Sequence, residues 1–317
     1  MKVIFMGTPD FAENILKDLS KEHDIVLCVT QPDKESGRGK DIHYSPVKNW
    51  AIEHDVPVFQ PEKIRSQEAI DHLSDIDADV IVVAAFGQIL PKEILFMKRF
   101  GSVNVHASLL PKYRGASPIQ WAIMNGDEFT GITTMKMGEG LDDGDILLQE
   151  KIRIEDNETG GSLFEKLSLL GGTLINKTLS GLEKGTVKAR PQEHDKATKV
   201  GLIKKEMGHI DFKKSALDIE RMMRAFDPWP SAWAIFQKKV IKLWSAKVIG
   251  ELPYDAVEEA KGLELSPGTI IRSRDILYVK TGFSYLMLLS IQVEGKKRMA
   301  VADFLRGHDI KTGDSLA

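Results

Sequence analysis

Apolar residues in the first half of the chain come in short blocks separated by turn-forming residues. Val3–Met6, Ile25–Thr30, Val58, Val80–Ala85 and Ser102–Val105 are rich in β-branched or apolar side chains and predict strands. Phe11–Leu19, Val47–His54, Ser66–Leu73 and Pro118–Asn125 carry helical spacing. Asp10 is expected to cap the first of these helices, and Ser117 followed by Pro118 starts the last. The alternation predicts an α/β fold: a Rossmann-like, mostly parallel sheet with helices on both faces, whose ligands bind at the carboxyl ends of the strands.

Further along, Leu163, Leu167, Leu170, Leu174, Ile175, Leu179 and Leu182 recur at near-helical intervals. They predict a long helix over Ser162–Leu182 that packs on the sheet and closes a first domain at residues 1–186. Residues 187–206 are polar and lack periodicity, as expected of a linker. After them come one predicted helix, Ala216–Ala225, and short strands over Ala232–Phe236, Val240–Val248, Thr269–Ile271, Ile276–Lys280 and Tyr285–Val293. That pattern fits a small β-barrel of the oligonucleotide-binding type over residues 207–317. Its aromatic residues Trp229, Trp233, Phe236 and Trp244 are expected in the barrel core.

The composition is that of a globular protein: 317 residues, 42% hydrophobic and 28% charged. No apolar run reaches the roughly 18 residues of a membrane span, and the chain starts directly with a strand, so a cytoplasmic protein is expected. Cys28, the only cysteine, lies in an apolar strand and is expected to be a buried, inert thiol. No two of the eight histidines lie close in sequence, which argues against a metal site. Net charge is −3, but residues 1–200 carry 24 Lys+Arg against 31 Asp+Glu, whereas residues 201–317 carry 19 against 15. The C-terminal part is thus mildly basic, a weak pointer to an anionic partner.

Candidate chemistry concentrates in Asn104-Val-His106-Ala-Ser108-Leu109-Leu110-Pro111. Side chains alternate along a strand, so Asn104 and His106 face the same side. Asp142, in the turn-rich run from Gly138 to Asp145, can add a carboxylate if that loop folds back beside the strand end. The loop Gly7–Ala12 lacks the glycine and lysine patterns of dinucleotide and nucleoside triphosphate sites.

The combination N-x-H-x-S-L-L-P followed by L-D-x-G resembles the formyltransferases that take their one-carbon unit from 10-formyltetrahydrofolate, and the resemblance runs from Gly7 to the last strands. It implies acyl transfer, in which Asn104 and His106 stabilise the oxyanion and Asp142 orients His106 and helps move a proton. It also implies that Ser108, Leu109, Leu110 and Pro111 line the folate pocket, and that Phe86, Gly87, Gln88, Ile89 and Leu90 hold the pterin ring.

Gly37-Arg-Gly-Lys40 resembles the loop that, in the branch of the family acting on initiator methionyl-tRNA, enters the acceptor stem. This implies a tRNA contact for Arg38, with Lys40 beside it. Lys204, Lys205, Lys238, Lys239, Lys296 and Lys297 are candidates for phosphate contacts. The expected activity is transfer of a formyl group to the amino group of methionyl initiator tRNA, for translation initiation, with folate and tRNA as partners and no obligate protein partner. The alternatives are a family member acting on a small-molecule amine or on water, and a non-catalytic RNA-binding protein. Asp41, Gly138, Asp143 and Ser231 depart from the family pattern, which frequently has a basic residue, Asp, Thr and Gly at those places.

Overall fold

Strand β1 (Lys2–Gly7) lies inside a seven-stranded sheet, and Val3–Met6 are wholly buried. The computed structural model describes residues 1–36 and 41–317, which form two compact units. The first unit takes residues 1–118, 129–153 and 163–201. Its strands continue with β2 (Asp24–Val29), β3 (Lys34–Ser36), β4 (Asp41–His43), β5 (Val58–Phe59), β6 (Val80–Ala84), β7 (Ser102–His106), β8 (Arg114–Gly115), β9 (Phe129–Lys136), β10 (Ile146–Arg153) and β11 (Lys199–Val200). The main sheet runs β10-β9-β7-β6-β1-β2-β5; β9 and β10 are antiparallel additions to a parallel core. Strand order reverses between β1 and β6, which opens a crevice at the carboxyl ends of the strands. β3 pairs with β4, and β8 with β11.

Why these segments fold this way is clear from their side chains. β6, Val-Ile-Val-Val-Ala, is buried throughout, as befits a central strand sandwiched between layers. Helix α1 (Asp10–Leu19) buries Phe11, Ala12, Ile15, Leu16 and Leu19, one continuous stripe. Its cap position is Pro9, without a side-chain hydrogen bond; Asp10 instead sits in the first turn, where a carboxylate meets the helix dipole. Ser45 and Ser66 cap α2 (Pro46–Glu53) and α3 (Gln67–Asp75) by accepting from Lys48 N and Ala69 N. α4 (Lys92–Leu95) is a single turn, α5 (Pro118–Met124) begins at the expected proline, and α6 spans Gly160–Glu183. Burial pushes the Cys28 thiol up to about 12, so it stays protonated and inert as expected.

The second unit takes residues 119–128, 154–162 and 202–317. After α7 (Ala216–Ala225) come β12 (Ala232–Phe236), β13 (Lys239–Ile249), α8 (Tyr254–Glu259), β14 (Ile270–Ser273), β15 (Ile276–Lys280), β16 (Tyr285–Val293), β17 (Met299–Ala300) and α9 (Val301–Leu305). The strands are antiparallel in the order β12-β13-β16-β15-β14, with β17 on β16. Residues 313–317 bridge the two edges of this sheet. Ile270 N donates to Asp314 O at 2.7 Å and Leu316 N to Gly268 O at 2.9 Å, while Ile235 N donates to Ala317 O at 2.6 Å. Register shifts near Ser245 bend β13, as a small curved sheet requires.

Several expectations need correction. The second unit contains α8 and α9 in addition to the one expected helix. Strands β9 and β10 were not signalled, because threonines and charged residues break their apolar alternation. None of the four aromatics expected in the barrel core is buried: Trp229 is 55% exposed, and Trp233, Phe236 and Trp244 are half-buried. Among the described residues, no helix is long and apolar enough to cross a membrane.

Candidate active site

Asn104 and His106 are fixed by the first unit's sheet. β7 pairs with β6 on one side and β9 on the other, and Asn104 and His106 lie two residues apart at its carboxyl end. The loop between β9 and β10 returns Asp142 to this strand end, so the three residues meet. Asn104 Nδ2 donates to Asp142 Oδ1 at 3.4 Å, and His106 Nδ1 faces Asp142 Oδ2 at 3.8 Å. Gly115 N–H donates to the same Oδ2 at 2.8 Å. The carboxylate is thus held by a backbone amide and a side-chain amide, and it turns its remaining face to the imidazole.

His106 Nε2 lies 2.9 Å from the Tyr113 carbonyl oxygen. A carbonyl only accepts, so Nε2 carries the hydrogen and Nδ1 is the nitrogen left to exchange a proton. Tyr113 thus anchors one nitrogen and Asp142 addresses the other, an anchor that the expected role of Asp142 did not include. Tyr113 itself has positive φ, 60°.

Two glycines make the loop geometry possible. A Cβ on Gly144, the glycine of L-D-x-G, would lie 1.8 Å from Lys136 O, so only glycine fits there. Gly115 has φ +102°, and a Cβ on it would lie 2.4 Å from Val200 O. Asp142 adopts φ 48°, a left-handed conformation that Asp tolerates better than most residues but that still requires support. Gly138 and Asp143 fit each other: a Cβ on Gly138 would lie 3.0 Å from Asp143 Oδ1. The Asp143 carboxylate therefore occupies the space that a larger residue at 138 would need.

The turn after β7 is braced from beneath. Thr133 Oγ1 donates to Ser108 O at 2.6 Å and accepts from Leu110 N at 3.1 Å and from Gln149 Nε2 at 2.9 Å. Gln149 Nε2 also donates to Leu110 O at 2.8 Å. Ser108 and Leu110 are buried, and the Ser108 hydroxyl donates to Lys112 O at 2.7 Å. Their side chains shape the turn, while Leu109 and Pro111 are half-buried. In the second expected folate segment, Phe86 and Leu90 are core residues. Gln88 is committed to Ile64 N and Pro61 O. Gly87 and the 80% exposed Ile89 remain open to a ligand.

Sequence reasoning missed Gln192 and Arg114. Both are buried, and Gln192 Nε2 donates to Asp142 O at 2.9 Å and to Gly144 O at 2.7 Å. Arg114 Nε and Nη2 donate to Gln192 Oε1 at 3.1 and 2.7 Å, and Nη2 also meets His194 Nδ1 at 3.1 Å. Gln192 lies in the polar stretch expected to be a linker, where nothing in the periodicity marks a buried residue.

In the second unit, Lys204, Lys205, Lys238, Lys239, Lys296 and Lys297 are all exposed. Four of them share one end of the sheet: Lys238 and Lys239 lie at the β12–β13 turn, and Lys296 and Lys297 follow β16. Glu294 N donates to Val240 O at 3.2 Å, which brings these turns together. On the adjoining strands Trp244 is flanked by Lys242 Nζ at 5.4 Å and Arg298 Cζ at 5.0 Å from its ring centroid. Arg38 and Lys40 lie outside the described residues. Among the described residues, no group of three or more His, Cys, Asp or Glu is placed to hold a metal ion.

The sheet's crevice thus presents an amide and an imidazole at the end of β7 and a carboxylate on the loop between β9 and β10. Residues 1–179 match the formyl transferase family and residues 202–309 match its C-terminal domain, so the chain belongs to the formyl transferase family. The methionyl-tRNA formyltransferase of Agathobacter rectalis is 49% identical over 316 residues, covering 99% of this chain and 98% of that protein. Among solved structures, the N-formyltransferase from Helicobacter canadensis, in complex with folinic acid and dTDP-3-aminofucose, superposes with a TM-score of 0.65 at 19% identity, covering 91% of this chain and 99% of that one. The methionyl-tRNA formyltransferase from Clostridium thermocellum gives a TM-score of 0.53 at 19% identity, covering 80% of this chain and 95% of that one. Both show the shared fold.

Proposed function

We propose that this protein transfers the formyl group of 10-formyltetrahydrofolate to the amino group of methionyl initiator tRNA. The observation that carries the reading is the meeting of Asn104, His106 and Asp142 at one strand end, together with full-length similarity to a methionyl-tRNA formyltransferase. In the reaction the amine nitrogen attacks the formyl carbon, the bond from that carbon to N10 breaks, and the proton lost by the amine ends on N10. The tetrahedral centre in between carries a negative oxygen. Asn104 supplies an amide donor to that oxygen once it leaves its long contact with Asp142. Nδ1 of His106, paired with Asp142, is the site through which the proton passes.

Gly87, Gln88, Ile89, Leu109 and Pro111 are the residues of the two expected folate segments with surface left to offer the donor. The first unit carries the chemistry. The second holds the tRNA through the four lysines at one end of its sheet, aided by Lys204 and Lys205, and Arg38 and Lys40 serve the acceptor end. A formylation assay with charged initiator tRNA, charged elongator methionyl-tRNA and free methionine tests this. Initiator methionyl-tRNA should be the preferred acceptor by at least roughly tenfold, about 1.4 kcal/mol. Faster formylation of a free amine would transfer the reading to a small-molecule formyltransferase.

A further inference from the structure

The segment after α6 is stitched onto the catalytic loops along its length. Arg190 exchanges backbone hydrogen bonds with Ile146 at 2.8 and 2.9 Å, beside the Asp142 loop. Thr198 Oγ1 accepts from Tyr113 N at 2.8 Å, and Arg114 N donates to Thr198 O at 2.8 Å. Residues 199 and 200 then pair with Arg114 and Gly115. One strap therefore touches the two residues that anchor the catalytic pair: Tyr113, whose carbonyl holds His106, and Gly115, whose N–H holds Asp142.

Within the strap, Gln192 has every hydrogen-bonding capacity in use. Its two N–H groups go to the carbonyls of Asp142 and Gly144, and its oxygen takes two N–H groups from Arg114. Asp142 sits at φ 48°, and a residue in that conformation keeps it only when its surroundings insist. Gln192 supplies that insistence from the backbone side, as Gly115 does from the carboxylate side.

We propose that Gln192, itself braced by Arg114, is a positioning residue for formyl transfer: it locks the Asp142 backbone so that the carboxylate faces His106. This rests on Asp142 belonging to the catalytic pair. No other side chain of this size offers two donors and an acceptor in one plane. Glutamate keeps the acceptor for Arg114 but sets a carboxylate oxygen against two carbonyl oxygens, which releases the loop while leaving the buried guanidinium paired.

The experiment combines Gln192→Glu with Asp142→Asn in a double-mutant cycle, and follows exchange of the Gly115 amide by NMR in the same proteins. Gln192→Glu should lower the single-turnover rate roughly 10–100-fold, the effect of misplacing a reacting group by about an ångström, with the KM for formyl-folate changed less than about threefold. In the Asp142→Asn background the same change should cost less than about threefold more, because both act through one carboxylate. The Gly115 amide, which donates to Asp142, should exchange at least about tenfold faster in Gln192→Glu. Should that variant not fold, Gln192→Met removes both donors without adding charge and enters the same cycle. Losses that multiply in full, or a Gly115 amide as protected as in the wild type, would overturn the proposal. A wild-type chain that formylates nothing would refute the function reading alone, since Gly115 exchange still decides this one.

Discussion

The Tyr113 carbonyl accepts a hydrogen bond from His106 Nε2 at 2.9 Å, and that contact decides which imidazole nitrogen holds the hydrogen of the neutral ring. With Nε2 committed as a donor, the neutral ring is the Nε2–H tautomer, and Nδ1 is aimed at Asp142. Nitrogen NMR of labelled protein should therefore show the N–H signal of neutral His106 on Nε2. A neutral ring protonated on Nδ1 would mean that Asp142, not Tyr113, sets the tautomer.

Thr133 is wholly buried and makes three hydrogen bonds that brace the turn after β7. Thr133→Val keeps the shape and strands the Leu110 amide, so it should destabilise the protein by about 1–3 kcal/mol. Denaturant unfolding checks this, and a change under about 0.5 kcal/mol, the range of ordinary surface substitutions, would show that the turn stands without the hydroxyl.

The parallel core of the first unit was legible because its strands are short apolar runs: Val80–Ala84 is buried throughout, with no polar position to confuse the pattern. The strand placing Asn104 and His106, Ser-Val-Asn-Val-His, was legible instead from its two β-branched valines and the motif it opens. Asp142 was placed through the motif alone, since nothing local in a glycine-rich loop says where it folds. Gln192 was hidden because it is a polar residue in a polar stretch, and its burial depends on two carbonyls and a guanidinium from elsewhere in the chain. Trp229 and Trp244 misled in the opposite sense: large aromatic area suggested a core, but the small curved sheet fills its interior with residues such as Leu243, Leu286 and Ile291 and leaves these indoles toward solvent.

Ser231 follows Pro230 in the turn before β12. It is buried and holds φ 69°, which for a residue with a Cβ is unfavourable by roughly 1–2 kcal/mol, partly offset by its hydroxyl bonding the Pro230 carbonyl. Ser231→Gly should raise stability, by up to about 1 kcal/mol after the entropy of glycine is subtracted. A lower thermal midpoint would show that the hydroxyl outweighs the strain.

Lys238, Lys239, Lys296 and Lys297 converge at one end of the second unit's sheet. Replacing Lys238 and Lys296 together by Gln should weaken tRNA binding and reduce the magnitude of the slope of log K against log salt by roughly 1.4–1.8, since each phosphate contact contributes about 0.7–0.9. Transfer at saturating tRNA should keep its rate. An unchanged slope would remove this end of the sheet from the tRNA surface.

If His106 and Asp142 act as one proton-relaying pair, as proposed, single-turnover formyl transfer to methionyl initiator tRNA reads it out. His106→Ala and Asp142→Asn should each fold and lose roughly 10²–10⁴-fold in rate, and the double variant should lose little beyond the worse single one. Rates within about threefold of wild type for both single variants, or losses that multiply in full in the double variant, would contradict the account.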